Sequence, residues 1–276
     1  MNKTARYAIY ILIIVICIVA IGIGVYGQFF MKDKAEEDDG NLKNENGNLI
    51  TGQDVKQSFL DLFTNEFYSN YNEQEIEKKE AEKDLVYTAF GIEETVEGKY
   101  SVNVNIPIVN INTEVANKYN ETTQKIFVDK INSVLTNVDE YTIYNLDYIA
   151  YTNENILSLA IMGTIKEGDN PQRIIVQTYN YDLETEKDVT VKEILDKREI
   201  DEAVVQNKID KTIKKASEDA AKMAESGYSV YQRDISNEMY KIENVKSFIQ
   251  GPNGELYIVF PYGNNNFTSE MDVVEI

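Results

Sequence analysis

The chain has 276 residues, and 27 Lys and Arg against 47 Asp and Glu give it a formal net charge of −20 at pH 7. Such an acidic chain lacks the basic surface that releases counterions from a phosphate backbone, so nucleic acid is not an expected partner. Histidine is absent and Cys17 is the single cysteine, which excludes Ser–His and Cys–His nucleophiles and an intrachain disulfide. We therefore expect no catalytic, cofactor or metal site.

The first predicted element is a membrane anchor. Residues Ala8 to Phe30, AIYILIIVICIVAIGIGVYGQFF, carry no charge, and about 20 apolar residues suffice to cross a bilayer. A cleaved signal peptide is the alternative, but its apolar region is about 7–15 residues long and ends in an A-x-A-like site. The flanking Lys and Arg slightly favour a cytoplasmic N-terminus. We expect residues 1–30 to form a short tail and a single-pass anchor in the cell membrane, with the bulk of the chain extracytoplasmic.

Residues 31–52 are polar, acidic and dotted with Gly and Asn, which predicts a flexible stalk before a domain over residues 53–276. A helix is predicted from Gln53, because apolar residues recur there at steps of three and four. These residues are Val55, Phe59, Leu62, Phe63 and Phe67. The charged stretch after Tyr71 either extends this helix or forms a loop.

Two extended segments, DLVYTAFGIEE and KYSVNVNIPIVNI, flank a turn signal at Gly98 and predict a β-hairpin. In the second segment apolar and polar residues alternate, which is typical of a half-buried strand with one polar face. The apolar residues are Val102, Val104, Ile106 and Ile108. Pro107 marks the end of this strand or a sheet edge, because proline cannot donate to a ladder.

The next segment predicts a long helix that packs across a sheet, with Asn112 or Thr113 as its N-cap. Its apolar stripe comprises Val115, Tyr119, Thr122, Ile126, Ile131, Val134, Leu135 and Val138.

Tyr141 to Leu183 then predicts three strands joined by TNEN and KEGDNP. Such short connections require antiparallel neighbours, since a parallel crossover needs a dozen or more residues. One face of the middle strand carries Leu157, Leu159, Ile161 and Ile165. In the third strand Tyr179, Tyr181 and Leu183 share a face with Ile175 and Gln177, and Ile174 and Val176 point the other way.

The last third of the chain predicts two helices and a hairpin. Thr190 and Glu193 form a capping-box pattern that begins a short helix. A second helix is predicted over Asp201 to Ser226, with Gly227 placed to end it. A Pro-Asn-Gly turn then joins two strands in NVKSFIQGPNGELYIVFPY, and a short final strand is predicted from Val273.

The segments ILSLAIMGTIKEGDNPQRIIVQTYNYDLETEKDVTVKEIL and GPNGELYIVFPYGNNNF resemble an extracytoplasmic domain of unknown function. That domain occurs in RsiV-like anti-sigma factors, which bind lysozyme, and in some peptidoglycan deacetylases. The resemblance covers roughly residues 99–276. It implies an α+β fold with an antiparallel sheet and packed helices, as the patterns above predict. The family often has Gly where this chain has Glu186, so we expect the turn after Leu183 to differ.

Neither the anti-sigma segment nor the deacetylase domain is expected here. Few residues precede the apolar run, and a chain without histidine lacks the metal ligands of a deacetylase. The favoured hypothesis is a non-catalytic, membrane-anchored binding or sensing module of the cell envelope. Its partners would be the bilayer, through Ala8 to Phe30, and a cationic envelope or host protein of the lysozyme kind, or peptidoglycan. Acidity that only keeps the domain soluble remains an alternative.

Two other functions stay open. A wall polysaccharide hydrolase needs only two carboxylates, and Asp147 and Asp182 are the first to inspect. A structural or signalling subunit would use the helix from Gln53, with Phe59, Phe63 and Phe67 exposed for self-association. The candidate ligand surface comprises Tyr179, Tyr181, Tyr262, Asn265 and Phe267. For the last three the favoured interpretation is structural, with the asparagines forming a turn and Phe267 closing the core edge.

Overall fold

The computed structural model of the chain describes residues 52–73, 76–136, 140–264 and 267–276. The predicted anchor Ala8 to Phe30, Cys17 and all but the end of the predicted stalk lie outside these residues. In the described part of the chain, no helix is long and apolar enough to cross a membrane. Thr51–Ile276 form one unit by their contacts.

The helices and strands of this unit follow the predicted order closely. The helices are α1 (Gly52–Leu60), α2 (Glu114–Thr136), α3 (Val191–Lys197) and α4 (Glu202–Glu225), and two 3₁₀ turns cover Glu238–Tyr240 and Ile242–Asn244. The first strands are β1 (Phe67–Ser69), β2 (Val86–Val96), β3 (Tyr100–Val109), β4 (Thr142–Asn153) and β5 (Ile156–Glu167). The remaining strands are β6 (Arg173–Asp182), β7 (Lys187–Asp188), β8 (Phe248–Gln250), β9 (Leu256–Asn264) and β10 (Phe267–Glu275).

Seven strands form a large sheet in the order β2-β3-β4-β5-β6-β7, with β1 added beside β4. The predicted hairpin β2–β3 and the antiparallel run β4–β5–β6 are confirmed. Two pairs are parallel instead: β3 lies beside Thr142–Leu146, and β1 lies beside Ala150–Thr152. The parallel β3–β4 pair follows from α2, because a helical crossover returns the chain in the same direction.

A second sheet of three strands, in the order β10-β9-β8, packs on the large one, which the sequence patterns did not predict. One core lies between α2 and the large sheet, and a second lies between the two sheets. A third core fills the space between the small sheet and α3 and α4. The predicted α+β class, antiparallel-rich with packed helices, is therefore confirmed for the described residues.

The helix predicted from Gln53 ends at Leu60, earlier than its apolar pattern indicated. Phe59 is fully buried between the sheets and Phe63 packs partly buried beside it, at 5.3 Å between ring centroids. Phe67 does not extend this stripe, because it lies in β1 and pairs with Ala150 of β4. The described residues between Tyr71 and Asp84 form a loop. With Phe59 inside the core, this face of α1 is not available for self-association.

The β3 alternation holds as far as Ile106, since Val102, Val104 and Ile106 are buried. Beyond it the pattern shifts, because Pro107 is buried and Ile108 is half-buried. Pairing with β4 stops at Val104, so Pro107 lies where β3 has lost that neighbour, as a proline requires.

The buried face of α2 is rotated from the predicted stripe. Ile126 is 46% exposed, whereas Asn120 is buried and holds the backbone of Val109 by two hydrogen bonds of 2.9 and 2.8 Å. These two bonds fix the rotation of α2 about its axis, so the buried face differs from the one that the positions of the apolar residues predicted. The buried residues are Ala116, Asn120, Thr123, Phe127, Ile131 and Val134. Val138 of the predicted stripe lies outside the described residues. The predicted cap Thr113 is confirmed, since its hydroxyl accepts a bond from the Ala116 amide.

The capping box of α3 is present in both directions, with Thr190 accepting from the Glu193 amide and Glu193 from the Thr190 amide. Helix α4 begins after Asp201 and ends before Gly227, whose φ of +88° suits glycine. In the turn after Leu183, Glu186 has a φ of 57°. This left-handed conformation is one that glycine favours, so the turn keeps a glycine-like geometry without a glycine.

The strand predicted from Val273 is longer than expected and spans Phe267–Glu275 as β10. It pairs antiparallel with β9. Asn265 and Asn266 lie outside the described residues.

Candidate binding cleft

A cleft of about 410 Å³ lies between the residues that lead into β1 and those that lead into β2. One wall is residues 65–67, the other is residues 84–88, and Tyr148 of β4 lies between them. The lining residues are Asn65, Glu66, Phe67, Asp84, Val86, Tyr87, Thr88 and Tyr148. Two of these lining side chains are carboxylates and none is basic. The Lys83 ammonium lies next to the cleft, 5.5 Å from the centroid of the Tyr87 ring.

Asn65 fixes the first wall against β4. Its φ of 61° is left-handed, which asparagine tolerates better than most residues. The Asn65 amide donates to the Tyr148 carbonyl at 2.9 Å, and the Tyr148 amide donates to Asn65 Oδ1 at 3.0 Å. The Asn65 side-chain amide also donates to Asp147 Oδ1 at 2.7 Å. Asn65 thus extends the contact between β1 and β4 from Phe67 and Ala150 back to Tyr148, and it places Glu66 at the cleft.

Asn110, which is 1% exposed, fixes the second wall. Its side-chain amide donates to the Asp84 carbonyl at 3.1 Å, and its backbone amide donates to the Leu85 carbonyl at 2.7 Å. The Asn110 Oδ1 accepts from the Glu80 amide at 2.9 Å. One buried asparagine therefore holds the loop before β2 at several points, and Asp84 takes its position from that anchoring.

The tyrosines of the cleft lie close to negatively charged carboxylates. Burial raises the pKa of Tyr148, the hydroxyl of Thr88 at 3.0 Å lowers it, and the charges of Asp84 and Glu66 raise it further. The pKa of Tyr87 is raised to about 12 by burial and by its 2.6 Å hydrogen bond to Glu80. Tyr68, half exposed at the rim, donates to Glu66. These phenols remain neutral donors at physiological pH, while the carboxylates favour a cation.

A polar row crosses the large sheet on the face opposite α2. The sheet register aligns Glu93 with Asn103, Asn103 with Asn145, and Asn145 with Thr164. Residues directly opposite one another share a face, so these four side chains form one row. Glu93 and Asn103 are exposed and Asn145 is half-buried, which confirms the predicted polar face of β3.

The structure separates the candidate ligand residues into two groups. Tyr179 and Tyr181 are 7% and 1% exposed and lie in the core under α2, where Tyr179 stacks on Tyr119 at 3.9 Å. Tyr262 and Phe267 belong to the small sheet and are brought together around Tyr231, at 5.4 and 6.1 Å between ring centroids. Asn265 lies outside the described residues.

Arg233, in the connection after α4, explains why Tyr262 is held there. Its guanidinium pairs with both oxygens of Asp272 at 2.6 and 2.8 Å and lies 4.1 Å from the Tyr262 ring. Burial lowers the pKa of Arg233, but the bonds and charge of Asp272 outweigh it and the pKa is raised. The sequence patterns missed this pair, because its members are 39 residues apart and no local periodicity links them. The group around Tyr262 therefore joins the segment after α4 to the small sheet.

Asp147 and Asp182 are too far apart to act as a pair on one sugar. Asp147 lies opposite Met162 of β5 and Asp182 lies opposite Ile156, six residues along the same strand. At roughly 3.3 Å per residue this is about 20 Å. Glycosidase carboxylates are about 5–10 Å apart. The Asp182 carboxylate instead accepts from the amides of the following turn at 2.9 and 2.8 Å.

In the described part of the chain, no group of three or more His, Cys, Asp and Glu side chains is placed to hold a metal ion. The cleft therefore offers carboxylate, phenol and carboxamide groups as hydrogen-bonding partners.

No protein-family model and no curated protein matches the chain. Among solved structures it is similar to a DUF3298 family protein from Bacteroides fragilis NCTC 9343, with 10% identity and a TM-score of 0.35 over 69% of this chain and 89% of that one. A DUF3298 family protein from Pseudomonas aeruginosa PAO1 gives 10% identity and a TM-score of 0.34, over 68% of this chain and 86% of that one. At these TM-scores neither likeness supports an argument about fold or function.

Proposed function

We propose that the chain is a membrane-anchored, non-catalytic binding module of the cell envelope, of the RsiV-like kind that its sequence resembles, and that its cleft takes a positively charged group. The observation that carries this proposal is the pairing of Glu66 and Asp84 in a cleft without a lining cation. The anchor would be Ala8 to Phe30, with the N-terminus cytoplasmic and the domain extracytoplasmic.

Charge supports a cationic ligand in two ways. The net charge of −20 attracts basic partners over long range and raises their association rate, an effect that salt screens. Within the cleft, a bound ammonium or guanidinium would gain charge-assisted hydrogen bonds, which contribute about 1.5–3 kcal/mol each. A cationic envelope or host protein of the lysozyme kind fits both requirements, and a basic group carried on peptidoglycan fits the second.

The test is binding of hen egg-white lysozyme to the full chain in lipid nanodiscs. Glu66→Gln and Asp84→Asn remove one charge each from the cleft, and Glu225→Gln removes one from the exposed end of α4 as the matched control. We expect each cleft variant to weaken binding by about 10-fold or more, from the loss of one charge-assisted bond. The control should bind like the parent, and added salt should weaken all of them.

Circular dichroism would confirm that the variants are folded. Binding that is absent, that ignores salt, or that is equal in the cleft variants and the control contradicts the proposal.

A carboxylate-dependent wall hydrolase is the second candidate, because Glu66 and Asp84 share one cleft. Such an enzyme uses one carboxyl as acid and the other as base or nucleophile. Incubation of the full chain with purified peptidoglycan, followed by measurement of reducing ends, tests this candidate. Release that disappears in both Glu66→Gln and Asp84→Asn would replace the binding function with catalysis.

A further inference from the structure

The outer edge of β2 is a long stretch of backbone without a partner among the described residues. β2 has 11 residues and is the first strand in the order of the large sheet, with β3 as its single strand neighbour. In that part of the chain, no backbone group outside the sheet bonds to residues 87–95. At roughly 3.3 Å per residue this edge is about 36 Å long.

The other sheet edges of the domain are short or covered. β7 at the far end of the large sheet has two residues, and β8 of the small sheet has three. β10 is flanked by α1 through the Lys56–Glu270 ion pair, and its Ser269 amide donates to the Gln172 carbonyl at 2.9 Å. The β2 edge is therefore the exception within the described fold.

β2 carries only some of the features that block unwanted pairing. Exposed edges are usually protected by charged side chains, proline or bulges, and VYTAFGIEETV has two glutamates but no Lys, Arg or Pro. One bulge lies between Thr88 and Phe90. After it, Phe90 to Val96 pair with β3 in unbroken register, so seven residues form a regular edge.

We propose that this edge binds an extended, basic polypeptide segment as an added strand, which deepens the proposed function by naming how the partner docks. A polypeptide is favoured because a row of free backbone N–H and C=O groups is matched by another backbone. A basic segment is favoured because Glu93 and Glu94 are exposed on the strand and Glu97 follows it. A second copy of this edge would bring like charges together.

The side chains of β2 also specify a pattern in the partner. Phe90 and Ile92 lie opposite the core residues Ile106 and Val104, and Phe90 is still 37% exposed. Glu93 lies on the other face, opposite Asn103. An added strand would place alternate side chains beside the two apolar residues and beside the glutamate. The partner segment thus alternates apolar and basic residues beside Phe90 to Glu93. Glu94, which lies opposite Val102 on the same face as Phe90, favours a further basic residue.

The edge leads directly into the acidic cleft. Val86, Tyr87 and Thr88, the first residues of β2, line the cleft beside Glu66 and Asp84. A strand bound along the edge would carry a basic side chain at its end to those carboxylates. The two surfaces therefore form one continuous site for a single partner.

The probe is a fluorescein-labelled, eight-residue peptide of alternating Lys and Val, added to the full chain in nanodiscs. A second peptide of equal charge carries N-methyl groups on alternate residues, which removes the donors along one edge. We expect the N-methylated peptide to bind at least 10-fold more weakly, and the unmodified peptide to slow deuterium exchange of amides in residues 90–96. Equal affinity of the two peptides, or slowed exchange confined to other strands, overturns the proposal.

Two variants separate the charge of the edge from the general acidity of the domain. Glu93→Lys should weaken peptide binding by about 10-fold or more, whereas Glu225→Lys at the end of α4 should leave it near the parent value. Equal weakening by both contradicts a defined edge site. Alternate amides of residues 90–96 bond to β3, and the others point to the outer edge. If these outward-pointing amides already exchange slowly in the free chain, another part of the chain or a second copy occupies the edge and the proposal fails.

Failure here is distinguishable from failure of the proposed function. If lysozyme binding depends on Glu66 and on salt, the cleft proposal holds. If peptide binding is at the same time unchanged by Glu93→Lys and by N-methylation, only the edge proposal is wrong.

Discussion

The strands at the two ends of the large sheet have the same alternation of apolar and polar residues, but different segments cover their faces. β5 and β6 have α2 on one face and the small sheet on the other, so polar residues such as Ser158 and Asn180 are buried there and bond to each other. β2 and β3 have α2 on one face and, among the described residues, a polar row on the other. The difference teaches that cover by later segments, rather than the strand pattern, decides whether a polar side chain stabilises the fold or faces a partner.

Asn180 and Asn103 show this contrast within one residue type. Asn180 is 5% exposed, accepts from the Ser158 hydroxyl at 2.6 Å and donates to the Phe248 carbonyl at 2.9 Å, so it ties β6 to the small sheet. Asn103 is exposed, on the polar face of β3. At the covered end, polar side chains form hydrogen bonds between the two sheets. At the open end, they are exposed and available to a ligand.

The largest expected effect is the loss of the fold at high pH, which tests how completely the tyrosines are covered. Burial raises the pKa to about 12 for four of them, namely Tyr144, Tyr151, Tyr240 and Tyr257. Because these values exceed the unfolded value near 10, the stability they contribute is complete below pH 10 and is lost as the pH rises toward 12.

Absorbance at 295 nm and circular dichroism, followed together from pH 8 to 13, measure this effect. We expect ionisation of the buried tyrosines and loss of secondary structure in one transition above pH 10. Ionisation of all tyrosines near pH 10 with the fold intact would show that the covered end is open to water.

The next effect is expected at the ion pair between Arg233 and Asp272. Arg233→Ala leaves the Asp272 carboxylate, whose residue is 8% exposed, without its partner. Breaking a buried ion pair on one side costs about 3–5 kcal/mol of the free energy of unfolding. Urea unfolding measures it, and the double variant Arg233→Met with Asp272→Leu should recover most of the loss. A cost below about 1 kcal/mol would mean that the pair is solvated.

A smaller effect is expected for Asn180→Ala at the covered end. It leaves the Phe248 carbonyl without its donor and the Ser158 hydroxyl without its acceptor, and each unsatisfied buried group costs about 1–3 kcal/mol. The free energy of unfolding should decrease by about 1–3 kcal/mol, mainly from the Phe248 carbonyl, because the Ser158 hydroxyl still accepts a bond from the Gln250 amide. A neutral result would show that water replaces the side chain and that the two sheets are not sealed there.

The smallest effect is expected for Asn103→Ala, the matched change at the open end. Surface substitutions away from special features stay within about 0.5 kcal/mol, so the free energy of unfolding should barely change. The same urea experiment compares it with Asn180→Ala. Equal losses in the two variants would break the contrast between the two ends of the sheet.

Local signals in the sequence predicted most of the elements. The Thr190–Glu193 capping box, the glycine after α4 and the turn at Gly98 each act within a few residues, and each element begins or ends where they indicate. The antiparallel run β4–β5–β6 followed from its short connections. Such features need no knowledge of distant segments, which is why sequence patterns suffice for them.

The errors lie where distant residues override a local pattern. Phe67 continued an apolar stripe, but pairing with β4 made it part of a strand. Ile126 continued another, but the bonds between Asn120 and Val109 turned it outward. The cleft was missed for the same reason, since Asn65 and Asp147 are 82 residues apart and the carboxylates come from two loops. No periodicity in the chain marks that meeting point.

The position of the first cleft wall has a mechanical consequence. Residues 65–67 follow α1 after the short stretch 61–64, so tension on the chain ahead of Gly52 would load α1, with its buried Phe59, before it reached β1. β1 pairs with β4 over three residues, a small area to resist such a load. A ligand bridging Glu66 and Asp84 would join the two walls and share that load. The cleft would then act as a latch whose release force depends on occupancy.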